Sequence, residues 1–327
     1  MPAFRDYEGQ SQHIARLQKE FSRHEEAHAY LFAGPSGTGT KSVALLCAAA
    51  RLCRGEEKPC GVCGPCRRVF AGTHPDVHIL VPEKGKRDIG VGVMREALSE
   101  ASVRPLEGDA KLFLIPEADR MNPQAQNALL KTLEEPPEDT VFLLTASRPA
   151  ALLPTILSRV RLIRFHPLSA EDASKRLQEL GMDRAKADAA AVLSEGCVGE
   201  ALALDENALS RRRELTERFF GVRRTADIPA VLAAYKDEKI DRAALLSGWE
   251  ASVRDVTAAR FSGRELPAEA YAKEAGNYAR TVPPEAALRL TEATLTAKKM
   301  LSSYVSFQAI LETLLLEIAE EYEKWPW

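Results

Sequence analysis

The chain has 327 residues, enough for two or three domains and a substantial buried core. Its 44 Lys+Arg against 47 Asp+Glu leave a formal charge of −3, which excludes the global basic field of a free-standing nucleic-acid binder; any DNA contact must be local or shared with partners. The opening Met1-Pro2-Ala3-Phe4-Arg5-Asp6 lacks a signal peptide's apolar core and no stretch approaches the ~20 apolar residues of a membrane span, so a cytoplasmic protein without a membrane partner is expected.

The first informative element in chain order is the apolar strand candidate Ala29–Ala33, followed by Gly34-Pro35-Ser36-Gly37-Thr38-Gly39-Thr40-Lys41-Ser42 and an apolar helical run from Val43 to Leu52. Strand, glycine-rich loop and helix in that order read as a phosphate-binding loop of the G-x-x-x-x-G-K-[ST] type. In that loop the lysine reaches the β/γ-phosphates and the next hydroxyl binds Mg²⁺. Gly34 and Gly39 set the frame, and Thr40 stands in the lysine slot. Lys41 is one place late, turned by about 100° on a helix, and Ser42 is displaced with it. Two alternatives stay open: a loop one residue longer in which Lys41-Ser42 still work, and an ordinary strand-to-helix turn.

Cys53, Cys60, Cys63 and Cys66 follow at C-x6-C-x2-C-x2-C spacing, with Gly61, Gly64 and Pro65 supplying turns that let the thiolates converge. Such close pairs are the signature of a closed, structural Zn²⁺ site rather than of disulfides in a reducing compartment. His74 is an alternative ligand, and Cys47 and Cys197 read as buried thiols. Further strand candidates are Val77–Val81, Lys111–Ile115, Val141–Thr145 and Arg161–Phe165, with amphipathic helices in the gaps, as in a parallel α/β sheet. The clearest helix starts with Asn122 as N-cap and Pro123 at the first helical position, and stops before Pro136-Pro137.

Where a working nucleotide hydrolase places a metal-holding aspartate after the strand Lys111–Ile115, this chain has Pro116, followed by Glu117. Ser158-Arg159 closes a short helix before the last strand. Arg159 there suits the helix dipole and equally suits an arginine finger projected at a neighbour's phosphoryl group. After His166-Pro167-Leu168-Ser169 the strand pattern ceases and helices are expected throughout, including Asp241–Arg260 and Pro284–Lys324. Arg211-Arg212-Arg213 and Arg223-Arg224 read as solvated helix faces rather than DNA contacts. The divisions expected are 1–167, an α/β domain with the cysteine insertion; 168–205, a small helical domain; and 206–327, a larger helical domain.

His28-Ala29-Tyr30-Leu31-Phe32-Ala33-Gly34, the four-cysteine insertion, Gly72-Thr73-His74-Pro75-Asp76, the run Asn127-Ala128-Leu129-Leu130-Lys131-Thr132-Leu133-Glu134-Glu135-Pro136-Pro137, and Ser158-Arg159 resemble the AAA+ clamp-loader subunits of bacterial replication. The resemblance is specific up to about Phe165. It implies a RecA-like AAA+ parallel-sheet domain, a helical lid and a helical collar, an α/β fold followed by all-α. It implies gamma/tau and delta subunits as partners, with the sliding clamp and primer-template DNA reached through the complex. Ser158-Arg159 would then serve the ATP site of an adjacent gamma/tau subunit. Thr40, Pro116 and Gly199, the last where an active subunit would carry the lid's sensor arginine, depart from the working ATPase and imply a subunit without its own ATP hydrolysis. Val160 departs from the motif's Ser-Arg-Cys without consequence for phosphoryl transfer. The competing readings are an active gamma/tau-like ATPase and a stand-alone zinc-dependent DNA-binding module.

Overall fold

The computed structural model describes residues 4, 7, 11–205, 207–235, 241–301, 303 and 305–325. Of the residues singled out above, Met1, Pro2, Ala3, Arg5, Asp6, Glu206 and Trp327 lie outside these. The first half alternates helices and strands: α1 (Ser11–Arg23), β1 (Ala29–Ala33), α2 (Thr40–Leu52), α3 (Gly64–Phe70), β2 (Val77–Ile79), α4 (Val91–Ala101), β3 (Lys111–Ile115), α5 (Pro123–Glu134), β4 (Thr140–Ala146), α6 (Pro154–Leu157) and β5 (Arg161–Arg164).

All five strands pair in parallel, in the order β2-β3-β4-β1-β5. Strands covered on both faces need apolar side chains at every position rather than at alternate ones. Accordingly β1, β3 and β4 are buried along their whole length, whereas the edge strands β2 and β5 are only partly covered. One face is packed by Leu17 and Phe21 of α1, Val43 and Leu46 of α2 and Val69 of α3. The other is packed by Met94 of α4, Leu129 and Leu133 of α5 and Ile156 of α6. Helix α5 starts as its sequence requires: Asn122 Oδ1 accepts the Ala125 N–H at 2.8 Å with Pro123 at the first position.

The remainder is helical: α7 (Ala170–Glu179), α8 (Arg184–Leu193), α9 (Val198–Ala203), α10 (Ala208–Phe220), α11 (Ile228–Ala234), α12 (Arg242–Ser262), α13 (Lys273–Thr281), α14 (Pro284–Met300) and α15 (Phe307–Lys324). Two compact units result: Met1–Asp172 with Cys197–Glu200, and Ala173–Gly196 with Ala201–Trp327. The second is built around the fully buried Trp249, with Phe219, Tyr278, Leu290 and Ile318 in the same core. The pattern read as one long helix from Pro284 to Lys324 is two, because Ser306 accepts the Ala309 N–H at 3.2 Å and so caps a new helix. The Arg211–Arg213 cluster is not one solvated face either. Arg211 and Arg213 are exposed, but Arg212 is buried and donates to Gly248 O and to Ser252 Oγ. Among the described residues no helix is long and apolar enough to cross a membrane.

Candidate functional site

Strand β1 lies between β4 and β5, and the glycine-rich loop leaves its carboxyl end, the place where open α/β sheets bind ligands. Gly34 N–H donates to Ala146 O at 3.1 Å, tying the loop to β4. Gly39 is the N-cap of α2 at φ 91°, a left-handed conformation open to glycine, and Thr40 is the first helical residue. The first bond of the helix runs from Val43 N–H to Gly39 O at 2.9 Å. Thr40 and Ser42 are half-buried, and Lys41 is exposed.

The loop is covered by protein of its own unit. Gly199 N–H donates to Gly37 O at 2.9 Å, and a Cβ added to Gly199 would stand 2.9 Å from Gly37 Cα. No side chain, an arginine included, fits at 199 without moving one backbone off the other. At Gly39 an added Cβ would meet Tyr7 Cε1 at 2.5 Å, so an aromatic ring lies against the last glycine. The Thr38 hydroxyl turns inward to Pro35 O at 2.7 Å.

Past the end of β3, Pro116 is followed by Glu117 in the left-handed region at φ 51°. Glu117 N–H donates to Thr145 Oγ1 of β4 at 3.1 Å, and its carboxylate is paired with Arg120 at 2.5 Å. Arg120 also donates to Arg87 O. Asp119 is the buried acid of this corner. Its Oδ2 accepts the Arg148 N–H at 3.2 Å, while Oδ1 has no partner among the described residues. Glu117 is therefore engaged by a cation of its own chain.

Arg159 stands between α6 and β5. Its Nη1 donates to Thr155 O at 3.0 Å and to Ser158 Oγ at 3.1 Å, and its Nη2 pairs with Glu134 Oε1 at 2.8 Å. Ser158 and Arg159 are thus brought together. The partner on α5 lay unassigned within the Asn127–Pro137 run, because nothing local to either segment signals the other.

The four spaced cysteines converge. Cys53 caps the end of α2, Cys63 precedes α3, and Cys66 lies in its first turn, fully buried. All four Sγ atoms lie within 4.8 Å of one another, and Cys53 and Cys63 are 4.0 Å apart. Metal–sulfur bonds of ~2.3 Å in a tetrahedron require sulfurs ~3.8 Å apart, so the set fits a metal ion. Backbone N–H groups of Gly55 and Cys60 point at Cys53 Sγ, each at 3.3 Å, and that of Cys63 at Cys60 Sγ at 3.4 Å, an arrangement that favours thiolates. The N–H groups of Cys63 and Val62 pull the Cys60 thiol down to about 6, while burial pushes Cys53 and Cys66 up. His74 is not a fifth member: it is buried, and its Nδ1 accepts the Asp76 N–H at 3.2 Å. Cys47 and Cys197 are both buried, outside the four-cysteine cluster.

The Gly72–Asp76 motif acts through Asp76. This fully buried carboxylate accepts N–H groups from Leu106 at 2.5 Å, Glu107 at 2.9 Å and Gly108 at 2.7 Å. Burial alone would raise its pKa, but the three donors together outweigh burial and lower it. It pins the loop before β3, whose Glu107 also pairs with Arg68 of α3.

Residues 9–169 match the family described as DNA polymerase III, delta subunit. The Bacillus subtilis DNA polymerase III subunit delta′ is 37% identical over 196 residues, 58% of this chain and 57% of that protein. The Escherichia coli subunit delta′ is 38% identical over 190 residues, 57% of each. The B. subtilis subunit tau is 30% identical over 215 residues, 63% of this chain and 38% of that protein. The matches span between about two fifths and little more than half the length of these and other curated delta′ relatives. Residues 9–169 are thus similar to the DNA polymerase III delta-subunit family, and the relatives that align with them include subunits named delta′ and tau of DNA polymerase III.

Proposed function

We propose that the chain is a subunit of a bacterial clamp loader that does not hydrolyse ATP itself, helps load the sliding clamp onto primer-template DNA, and lends Arg159 to the ATP site of a neighbouring gamma/tau-type subunit. Residues 1–167 are the RecA-like AAA+ domain, 168–205 the lid and 206–327 the collar that assembles with gamma/tau and delta subunits in the cytoplasm. The observation that carries the reading is the register of the phosphate loop: the helix begins at Thr40, leaving Lys41 exposed one position beyond the slot from which a lysine reaches the phosphates. Pro116 in the aspartate position, Glu117 paired with Arg120, and Gly199 seated on Gly37 support it independently. Cys53, Cys60, Cys63 and Cys66 would hold Zn²⁺, which supplies a structural cross-link there, four thiolates leaving no open position for chemistry.

Arg159 is the catalytic residue of this reading. A guanidinium offered to a transferring phosphoryl group is worth about 10³–10⁵ in rate in related systems. Arg159→Ala should lower DNA-stimulated ATP turnover of the complex reconstituted with gamma/tau and delta subunits while leaving assembly intact. Unchanged turnover would reject the finger. Saturable ATP turnover by the isolated chain, abolished by Lys41→Ala, would reject the non-hydrolysing reading and make the chain an ATPase.

A further inference from the structure

We propose that Glu134 is the positioning residue for Arg159, holding its guanidinium in one orientation for a phosphoryl group carried by a neighbouring subunit. This rests on the reading of Arg159 as a finger. Arginine has five N–H donors in a planar fork on a flexible stem. Thr155 O and Ser158 Oγ occupy the two hydrogens of Nη1. Both acceptors lie within four residues of Arg159 and travel with the same short helix. The tether from elsewhere in the fold is Glu134, whose Oε1 takes one hydrogen of Nη2 at 2.8 Å. Nε–H and the second hydrogen of Nη2 have no acceptor among the described residues, which leaves donors for the oxygens of a phosphoryl group.

The place of Glu134 in α5 strengthens the assignment. It is the last residue of that helix, where unpaired carbonyls make a carboxylate unfavourable and a cation favourable. Such a carboxylate destabilises α5 unless a cation meets it, and Arg159 does. Folding stability does not account for the pair: the two side chains are 34% and 51% exposed, and ion pairs so open to water contribute little. The contact fixes a direction for the guanidinium at small energetic gain. Positioning is what a transferring phosphoryl group demands, since a displacement of about 1 Å in a reacting constellation costs on the order of 100-fold in rate.

The test is a double-mutant cycle in the complex reconstituted with gamma/tau and delta subunits, primed DNA and clamp, with assembly and melting temperature measured on every variant. Glu134→Ala should lower kcat for ATP by about 10- to 100-fold, with KM for ATP unchanged because the neighbour binds the nucleotide. Glu134→Gln keeps an acceptor oxygen and should recover part of the loss. In an Arg159→Ala background, Glu134→Ala should cost nothing further. Three results overturn the proposal: full turnover in Glu134→Ala; faster turnover, which would make the pair a restraint on the finger; or the same fold-loss with and without Arg159. Full turnover in Arg159→Ala instead refutes the finger itself, so the two failures are distinguishable.

Discussion

Replacing Asp76 tests the physical account of the α/β unit most directly. The carboxylate is fully buried and accepts N–H groups of Leu106, Glu107 and Gly108 at 2.5, 2.9 and 2.7 Å. Hydrogen bonds to an ionised group are each worth about 1.5–3 kcal/mol. The loop N–H groups are only partly buried and can turn to water once released, so the summed figure is an upper bound and about 3–5 kcal/mol is expected for Asp76→Ala. That is a large share of the ~5–15 kcal/mol that holds a typical domain. Asp76→Asn keeps one good acceptor but sets an NH₂ against backbone donors, and should lose about half as much. The pH dependence has a definite sign. The folded pKa lies below the ordinary carboxylate value, so the contribution is complete above about pH 4 and shrinks as pH falls through the folded pKa. The advantage of the parent chain over Asp76→Asn should therefore vanish in acid. Urea unfolding followed by circular dichroism, with hydrogen exchange read on residues 105–109 and on β3, measures both effects. Trp249 and Trp325 belong to the helical unit and the sequence has no tryptophan before residue 249, so tryptophan fluorescence serves as a separate probe of that unit. A loss below about 1 kcal/mol, or unaltered protection at residues 105–109, would refute the view that this carboxylate pins the loop.

Three further outcomes are expected. Purified protein should carry one zinc ion per chain by elemental analysis; Cys63→Ser should lose it, and chelation should open residues 53–66 to proteolysis, whereas normal protease resistance without metal would deny the ion a structural role. Gly199→Arg, which installs the lid arginine of an active ATPase, should give no turnover and cost about 1–3 kcal/mol, because its Cβ meets Gly37 Cα; unchanged melting would show that the contact yields freely. Thr40→Lys alone should leave the isolated chain inactive in a coupled ATPase assay, since Pro116 still occupies the metal-holding position; turnover on that single change would mean the aspartate is dispensable.

The central strands are legible because burial on both faces writes them as near-continuous apolar runs: Ala29–Ala33 and, after its opening lysine, Lys111–Ile115 have the same bounds in the sequence reading and in the sheet. The edge was less legible. The apolar pattern carries the second strand on to Val81, but β2 ends at Ile79, Leu80 N–H makes a last bond to Leu114 O of β3 at 2.8 Å, and Val81 is half-exposed beyond it. The break between α14 and α15 was missed for a related reason. Residues 301–306 carry Leu301, Tyr304 and Val305 and no proline or glycine, so the apolar period runs on across a turn that Ser306 announces only as a cap. The cysteine cluster was readable because its ligands lie within 14 residues of chain, Cys53 to Cys66, and convergence is then mostly local geometry. The partners of Asp76 and Arg159 were not, since residues 106–108 and Glu134 reach them only once the sheet has brought distant segments together.

On the proposed reading, the glycine-rich loop keeps the shape of a phosphate site without its chemistry. Gly37 and Gly39 both have positive φ, and in a working loop such a backbone serves to wrap phosphates. Here it also meets protein: Gly39 lies under the Tyr7 ring, and Gly37 receives Gly199 so closely that neither position has room for a methyl group. Backbone conformation and packing thus both call for these glycines, independently of any nucleotide. The lysine is under no such constraint, because nothing in the fold needs a cation at residue 40, and a threonine opens α2 just as well. Restoring the lysine therefore changes one chemical group in a loop whose other surroundings belong to packing. On that reading, ATP turnover is expected only when Thr40→Lys and Pro116→Asp are combined and the Gly199–Gly37 contact is opened to admit Gly199→Arg.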